Sequence, residues 1–278
     1  MNYRVKNNYK GIAREKLLGR YTVIIGAILI VQLIYFILGS ITASLVDTGS
    51  TAGIIIFGAI MVITGLIGAV FSLGEKTIYL KTACGDKIKI TDIFEGFKGY
   101  ADKAIILQFV IALKCVVFML PAIITIVFID YISGGISVSI SSGISFERDP
   151  GYRMNIALIF ISVICIICGL IGSIYVRLVT SQVFYILLDY PQLDAKTILG
   201  RSRDMMQGKM MSYLYLAISF VPILILGVLS MGVGLMYIRP YMGMTFTEFY
   251  MNLASGRGSN IDVIVSDDVK EEYTTERE

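Results

Sequence analysis

Apolar residues run in long charge-poor blocks along this chain, and short islands of Lys, Arg, Asp and Glu separate them. A charge at a bilayer centre costs about 2.5 to 3.5 kcal/mol on insertion scales, so a charge-poor run of roughly twenty residues reads as a transmembrane helix. Five blocks qualify: Tyr21 to Val46, Gly53 to Gly74, Ala104 to Ile129, Met154 to Leu188 and Met210 to Ile238, broken only by Lys114 and Arg177. The last block can be divided. If Met231-Gly232-Val233-Gly234 is a tight turn, Leu235 to Ala254 returns as a sixth span. Six spans is the preferred reading, because Met210 to Ser230 already supplies about 21 residues, enough for a ~30 Å core at about 1.5 Å per residue. Five spans, with the tail on the outer side, is the alternative.

The islands set the orientation, since Lys and Arg collect on the cytosolic side. The head carries Arg4, Lys6, Lys10, Arg14, Lys16 and Arg20, and the Glu75 to Lys103 connection carries Lys76, Lys81, Lys87, Lys89, Lys98 and Lys103. Lys196, Arg201, Arg203 and Lys209 follow the fourth span, whereas Asp47 to Ala52 has no base and Asp130 to Arg153 only Arg148 and Arg153. The expectation is a multi-pass protein of the cytoplasmic (inner) membrane with a cytosolic N-terminus and, with six spans, a cytosolic C-terminus. Its fold class is all-α: a polytopic transmembrane helix bundle with amphipathic cytosolic interfacial helices. Residues 1–20 form a basic amphipathic segment, 21–254 the bundle and 255–278 an acidic, disordered tail. The basic head is too long, and the apolar run after it too extended, for a cleavable signal.

Thr91 to Phe97 and Asp194 to Leu199 each place a capping side chain ahead of apolar residues, as a helix lying flat on the membrane would. In the head, Val5, Tyr9, Ile12, Ala13 and Leu17 recur at helical spacing, which suits an amphipathic helix on anionic lipid. Gly65 to Gly68 and Gly169 to Gly172 share the sequence Gly-Leu-Ile-Gly and read as close-packing faces. Each precedes a basic connection, so a parallel repeat of spans two and three in spans four and five is one reading. Pro121 and Pro222 predict kinks. In the outer loop, Ile136 to Phe146 alternates around Ser142-Gly143 and fits either a small hairpin or a flexible Ser/Gly loop.

Composition narrows the chemistry. Of 278 residues, 56% are hydrophobic and 16% charged, against roughly a quarter charged in soluble domains. There is no histidine, and the four cysteines lie in apolar stretches or, for Cys84, in a loop expected in the cytosol. No disulfide framework, metal site or cofactor is therefore expected. Cys165-Ile166-Ile167-Cys168 has CxxC spacing, which small residues packing inside a helix explain without redox chemistry.

From Gly169 onward a family pattern emerges. Tyr185 to Pro191, Ser202 to Lys209, Leu216 to Phe220, Gly232-Val233-Gly234, Arg239-Pro240-Tyr241 and Phe249-Tyr250 stand in an order and spacing that resemble the family called domain of unknown function 975. Upstream, Asp92-Ile93-Phe94-Glu95-Gly96-Phe97 is similar to that family's Asp-x-Phe-x-Gly-Phe element. The resemblance covers roughly Glu75 to Leu253, with one gap between the third and fourth spans, where a long outer loop replaces a short Pro-Gly turn. It implies a polytopic bacterial-type membrane protein and no particular reaction.

The intramembrane charges are the candidate site. Counted from the expected cytosolic ends, Lys114, Arg177 and Glu248 all lie roughly 12 to 17 Å deep. They can meet in a net-positive cluster, with Glu75 as a second acid, and hold an anion or a lipid phosphate. Mutual neutralisation or snorkelling to the interface is the alternative. Arg4, Lys6, Lys10, Arg14, Arg201, Arg203 and Lys209 are the expected lipid-headgroup contacts, with anionic membrane lipids and unidentified membrane proteins as partners and no role for nucleic acid. The sequence thus favours a non-catalytic membrane organiser that meets lipids or partners. A small-solute or ion transporter using the charge cluster is the competing reading, and an enzyme is not expected.

Overall fold

The computed structural model describes residues 8–46, 50–133, 137–139, 145–147 and 156–256. The expected acidic tail and the head bases Arg4 and Lys6 lie outside them. The helices are α1 (Tyr9–Leu17), α2 (Tyr21–Leu45), α3 (Thr51–Cys84), α4 (Ala101–Ser133), α5 (Ile156–Val179), α6 (Val183–Asp189), α7 (Ala195–Met206), α8 (Met210–Ile218), α9 (Val221–Leu229) and α10 (Val233–Ser255). A 3-10 element, Ile90–Phe97, joins α3 to α4. Between α4 and α5, β1 (Ser137–Ser139) pairs antiparallel with β2 (Ser145–Glu147), with Val138 opposite Phe146, as the hairpin reading expects.

This is the expected all-α polytopic bundle. Five stretches are long and apolar enough to cross a membrane: Tyr21–Ser44, Ile55–Cys84, Ala101–Phe128, Phe160–Asp189 and Met210–Leu229. The 23-residue α10 makes a sixth crossing possible. No more than 17% of any of the five apolar windows is buried within the protein, so hydrocarbon has to cover the rest. The turn expected at Met231-Gly232 is present. Met231 (φ 54°) takes the left-handed conformation after α9, and the Gly232 N–H donates to the Gly227 carbonyl at 3.2 Å, closing a Schellman motif. Pro222 cannot donate to the Ile218 carbonyl, and the helix breaks there into α8 and α9. Pro121, by contrast, lies within a continuous α4.

One expected boundary is displaced. The second apolar block ends at Gly74, yet α3 runs on through Glu75, Lys76 and Lys81 to Cys84 and stops at Gly85 (φ 89°). Charge marks the end of the hydrophobic run, not of the helix.

The chain divides into two compact units, residues 107–181 and the remainder. Within the first, α5 meets α4 at its glycines: a Cβ on Gly169 would stand 3.0 Å from the Phe118 carbonyl oxygen, and one on Gly172 would strike the Phe118 ring. Within the second, Gly68 faces the Tyr35 hydroxyl, but Gly65 faces open space and is not a packing contact. The core of this second unit gathers at one end. Ala13 and Leu17 of α1, Ile24 and Ala27 of α2, Phe71, Ile78 and Tyr79 of α3, Ile93 of the 3-10 element and Met244 of α10 pack together there.

The segment expected as an interfacial helix forms a 3-10 element. It lies across α3, backbone against backbone. A Cβ on Gly74 would overlap the Ile93 carbonyl, and one on Gly96 would overlap the Val70 carbonyl oxygen. Asp92 accepts from the Lys89 N–H at 3.0 Å, Lys81 reaches Glu95 at 2.6 Å, and Phe71 meets Phe97 edge-on with centroids 5.2 Å apart. Gly74 and Gly96 let two backbones touch where any side chain would hold them apart. The second connection does form an α-helix, α7, whose Asp194 cap accepts from the Lys196 N–H at 3.3 Å.

Candidate functional site

The packed end brings together α1, the last turns of α3, α6 and the second half of α10. Helix C-termini leave carbonyls without intrahelical donors and carry partial negative charge, so cations gather on them. The Lys16 ammonium donates to the Ala83 carbonyl at 2.9 Å and pairs with the Glu248 carboxylate at 2.8 Å. Arg20 donates to the carbonyls of Asp86 (2.9 Å), Gly85 (3.0 Å) and Thr82 (3.4 Å), sealing the end of α3. Lys10 donates to the Ser219 carbonyl at 3.1 Å, behind α8, and lies over the Phe220 ring. Lys103 does the same for Pro191 (2.7 Å) and Leu193 (3.2 Å) after α6. At the start of α1 the Tyr9 hydroxyl donates to Asn252 at 3.3 Å, and burial pushes the Tyr9 phenol above its ordinary pKa.

Deeper in the same unit lies a polar network. The Tyr79 side chain is fully buried and donates to Glu75 at 3.1 Å, one helical turn away. It needs Gly243 of α10, where any Cβ would collide with its ring. Tyr185 of α6 shares a hydrogen bond with Thr247 of α10 at 2.9 Å and stacks on Tyr250, centroids 4.8 Å apart. Tyr250 in turn donates a short hydrogen bond to Asp189. The Lys76 ammonium sits 5.0 Å from the Tyr185 centroid. Hydroxyls, two carboxylates and a cation therefore satisfy one another in a region where unpaired polar groups are costly.

The sequence-derived residues distribute unevenly over this arrangement. Glu248 is 7% exposed and engaged by Lys16, a base the sequence reading did not pair with it. Glu75 is held by Tyr79. Lys114 and Arg177 belong to the other unit, where both are exposed and neither is ion-paired to a described residue. Of the expected headgroup contacts, Lys10 is turned onto Ser219 and Phe220, and Arg14 lies over the Tyr241 ring. Ala13 and Leu17, the apolar side of the head, are fully buried against protein. Arg201 lies over Tyr190, whereas Arg203 and Lys209 are exposed. Among the described residues no group of three or more Cys, Asp and Glu side chains could hold a metal ion.

Gly96, Tyr185, Asp189 and Tyr250 lie on the segments that suggested a family, and that family's model matches residues 1–257. The chain belongs to the family described as Protein of unknown function (DUF975). Membership extends the resemblance to the basic head and across the long outer loop. No curated protein and no solved structure matches the chain. The family motif Asp92 to Phe97 now has a physical content: Asp92 caps the 3-10 turn, Phe94 and Phe97 meet Phe71, and Gly96 allows contact with α3.

The sequence counts Lys16 and Lys76 only among the orienting bases and Tyr185, Asp189 and Tyr250 only within the family pattern, and it gives Tyr79 no role. Tyrosines inside apolar runs look like packing residues, and only the fold shows which hydroxyls meet. Arg239 did stand in the family pattern, yet it was left out of the count of intramembrane charges. Its presence within the proposed sixth span was the available signal.

Proposed function

We propose that this protein is a non-catalytic organiser of the cytoplasmic membrane, meeting lipids and membrane proteins through its apolar helices and holding both chain termini on the cytosolic side. The observation that carries this reading is the internal use of its charges. Lys10, Lys16, Arg20 and Lys103 cap helix ends, and Glu248 and Glu95 are taken by lysines, while the faces of the spans remain apolar and uncovered. Such an arrangement suits a rigid scaffold for hydrocarbon-embedded neighbours. The exposed Arg203 and Lys209 are suited to anionic headgroups. Tyr9 and Asn252 share one end, which supports placing both beside the lysine-rich connection in the cytosol.

Reconstitution into sealed vesicles separates this reading from transport. An organiser gives no solute or ion flux above protein-free vesicles and retains anionic lipid through purification. A flux abolished by Lys114→Ala, Arg177→Ala or Glu248→Ala would replace it with the transporter reading.

A further inference from the structure

The turn between α9 and α10 has a definite height, because α10 runs parallel to α3 within one compact unit and two contacts fix their register. Gly243 meets the Tyr79 ring, and Lys16 joins the Ala83 carbonyl to the Glu248 carboxylate, so both helices advance together from the first contact to the second. Carried back along the helices, this register sets Arg239 level with Glu75, and the Met231-Gly232 turn level with Ile67 and Gly68. The other arm follows α10 down from the same turn. A Cβ on Gly227 of α9 would strike Leu235 and Ile238, Phe220 meets Tyr241 edge-on, and Tyr213 of α8 stacks on Phe246. These helices form one hairpin with its tip at Met231.

α3 does not stop at that height. Residues 51–67 continue past the tip for about 24 Å at ~1.5 Å per residue, with no charged side chain and with Ile55, Ile56, Phe57, Met61, Val62 and Ile63 exposed. The apolar block of α3 starts at Gly53, so the tip lies about 20 Å short of the outer edge of a ~30 Å hydrocarbon layer. Counted from the other end, the block closes at Gly74, about 10 Å below the tip. Both counts give one depth, roughly a third of the way in from the cytosolic side. Arg239 and Glu75 are the first charges met on α10 and α3, so one boundary serves both helices. Tyr237 agrees with this placement. Its ring lies 6.3 Å from that of Tyr21, the first residue of α2, which climbs on to Leu45.

The tip suits hydrocarbon and not water. Leu226, Val228, Leu229, Met231 and Val233 are all exposed, Met231 by 97%. The turn also closes on its own polar groups: the Ser230 hydroxyl donates to the Gly227 carbonyl at 2.7 Å and accepts from the Gly234 N–H at 2.9 Å. Irregular backbone at membrane depth needs such internal partners.

We infer that the hairpin of α9 and α10 is a re-entrant wedge, which enters from the cytosolic side, turns within the cytosolic leaflet and leaves on the same side, with the acyl chains of that leaflet as its partner. Length alone would let these helices cross; their height against α3 does not. The wedge goes beyond the organiser reading and takes from it only which leaflet is cytosolic. By displacing lipid from one leaflet and not the other, it gives such an organiser a means of acting on lipid packing.

The test places single cysteines in the full chain, with Cys84, Cys115, Cys165 and Cys168 replaced by alanine, in vesicles of phosphatidylcholine and phosphatidylglycerol. A bimane label at Met231→Cys or Tyr237→Cys is quenched by lipid nitroxides set at different acyl depths. The wedge puts the Met231 label deeper, with the Tyr237 label about 9 Å nearer the headgroups. A crossing hairpin reverses that order, and the reversed order, equal depths, or quenching of the Met231 label by aqueous iodide overturns the wedge. Met236→Cys reads nearly the same level should loss of the Tyr21 contact disturb the fold. In intact cells an impermeant thiol reagent is expected to reach Ser50→Cys and not Met231→Cys; labelling of both from outside again overturns the wedge. If Ser50→Cys reacts only from the cytosolic side while the Met231 label stays the deeper one, the hairpin stands and the orientation in the organiser reading falls.

Discussion

Replacing Gly74 with alanine sets two opposing effects against each other inside one helix. In a helix interior alanine is favoured over glycine by about 1 kcal/mol. Against this, the new methyl would overlap the Ile93 carbonyl, and its distance to the carbonyl carbon would be 2.7 Å. Backbone atoms cannot rotate away as a flexible side chain can, so the 3-10 element must lift from α3. Overpacking of this kind costs about 1 to 3 kcal/mol. Lifting also strains the edge-on contacts of Phe71 with Phe94 and Phe97, worth roughly 0.5 to 1.5 kcal/mol each. The net expectation is a loss of about 1 to 3 kcal/mol, concentrated at residues 90–97. Gly65→Ala is the matched control, because it lies in the same helix with nothing within 4 Å of its Cβ and should be neutral or stabilising by up to about 1 kcal/mol. Thermal melting in detergent, followed by hydrogen exchange across residues 90–97, reads both. If Gly74→Ala melts at or above the parent and residues 90–97 stay protected, the backbone contact is not what holds this element.

Lys16→Ala leaves the buried Glu248 carboxylate without its cation and should destabilise the protein by about 1 to 3 kcal/mol in a melting assay, discounted for the partial exposure of Lys16. The double replacement Lys16→Met/Glu248→Met should recover most of that loss; a double variant as unstable as the single one would show that packing, not charge, joins α1 to α10. Tyr185→Phe removes the buried hydrogen bond to Thr247 while keeping the stack on Tyr250, with an expected cost of about 1 to 2 kcal/mol, and equal melting of Tyr185→Phe and the parent would contradict it. Cysteines placed at Asn252 and Ser255 should react with an impermeant thiol reagent from the same membrane side as the exposed Cys84, and reaction from opposite sides would contradict the shared end of α1 and α10.

The transmembrane architecture was legible because hydrocarbon imposes a length and a charge penalty that any span must obey. Tyr21 to Val46 was read to within a residue of α2, and the turn at Met231-Gly232 was visible from its glycine. Boundaries set by charge were less secure. Glu75 and Lys76 ended an apolar block but not a helix, because each finds a phenol inside the bundle. The head was read correctly as helical, but the burial of Ala13 and Leu17 against protein was not foreseen. Its apolar stripe looks the same whether protein or lipid covers it, and its cover, α10, lies more than two hundred residues away in sequence. For the same reason the pairing of Lys16 with Glu248 could not be read. Equal depth suggested Lys114 and Arg177 as partners, but depth says nothing about position around the bundle.

The docking of α1 on α10 also orders the making of the protein. The head leaves the ribosome some two hundred residues before Ser219, Phe220, Glu248 and Asn252, which receive it. Until they arrive, Lys10 and Lys16 lack the Ser219 carbonyl and the Glu248 carboxylate that hold them, and the side of Ala13 and Leu17 that α10 covers stays open to lipid or chaperone. A chain truncated before α10 would therefore carry a basic helix tethered to α3 alone and bare on its other side, a chemical mark by which quality control could tell it from a chain that has α10.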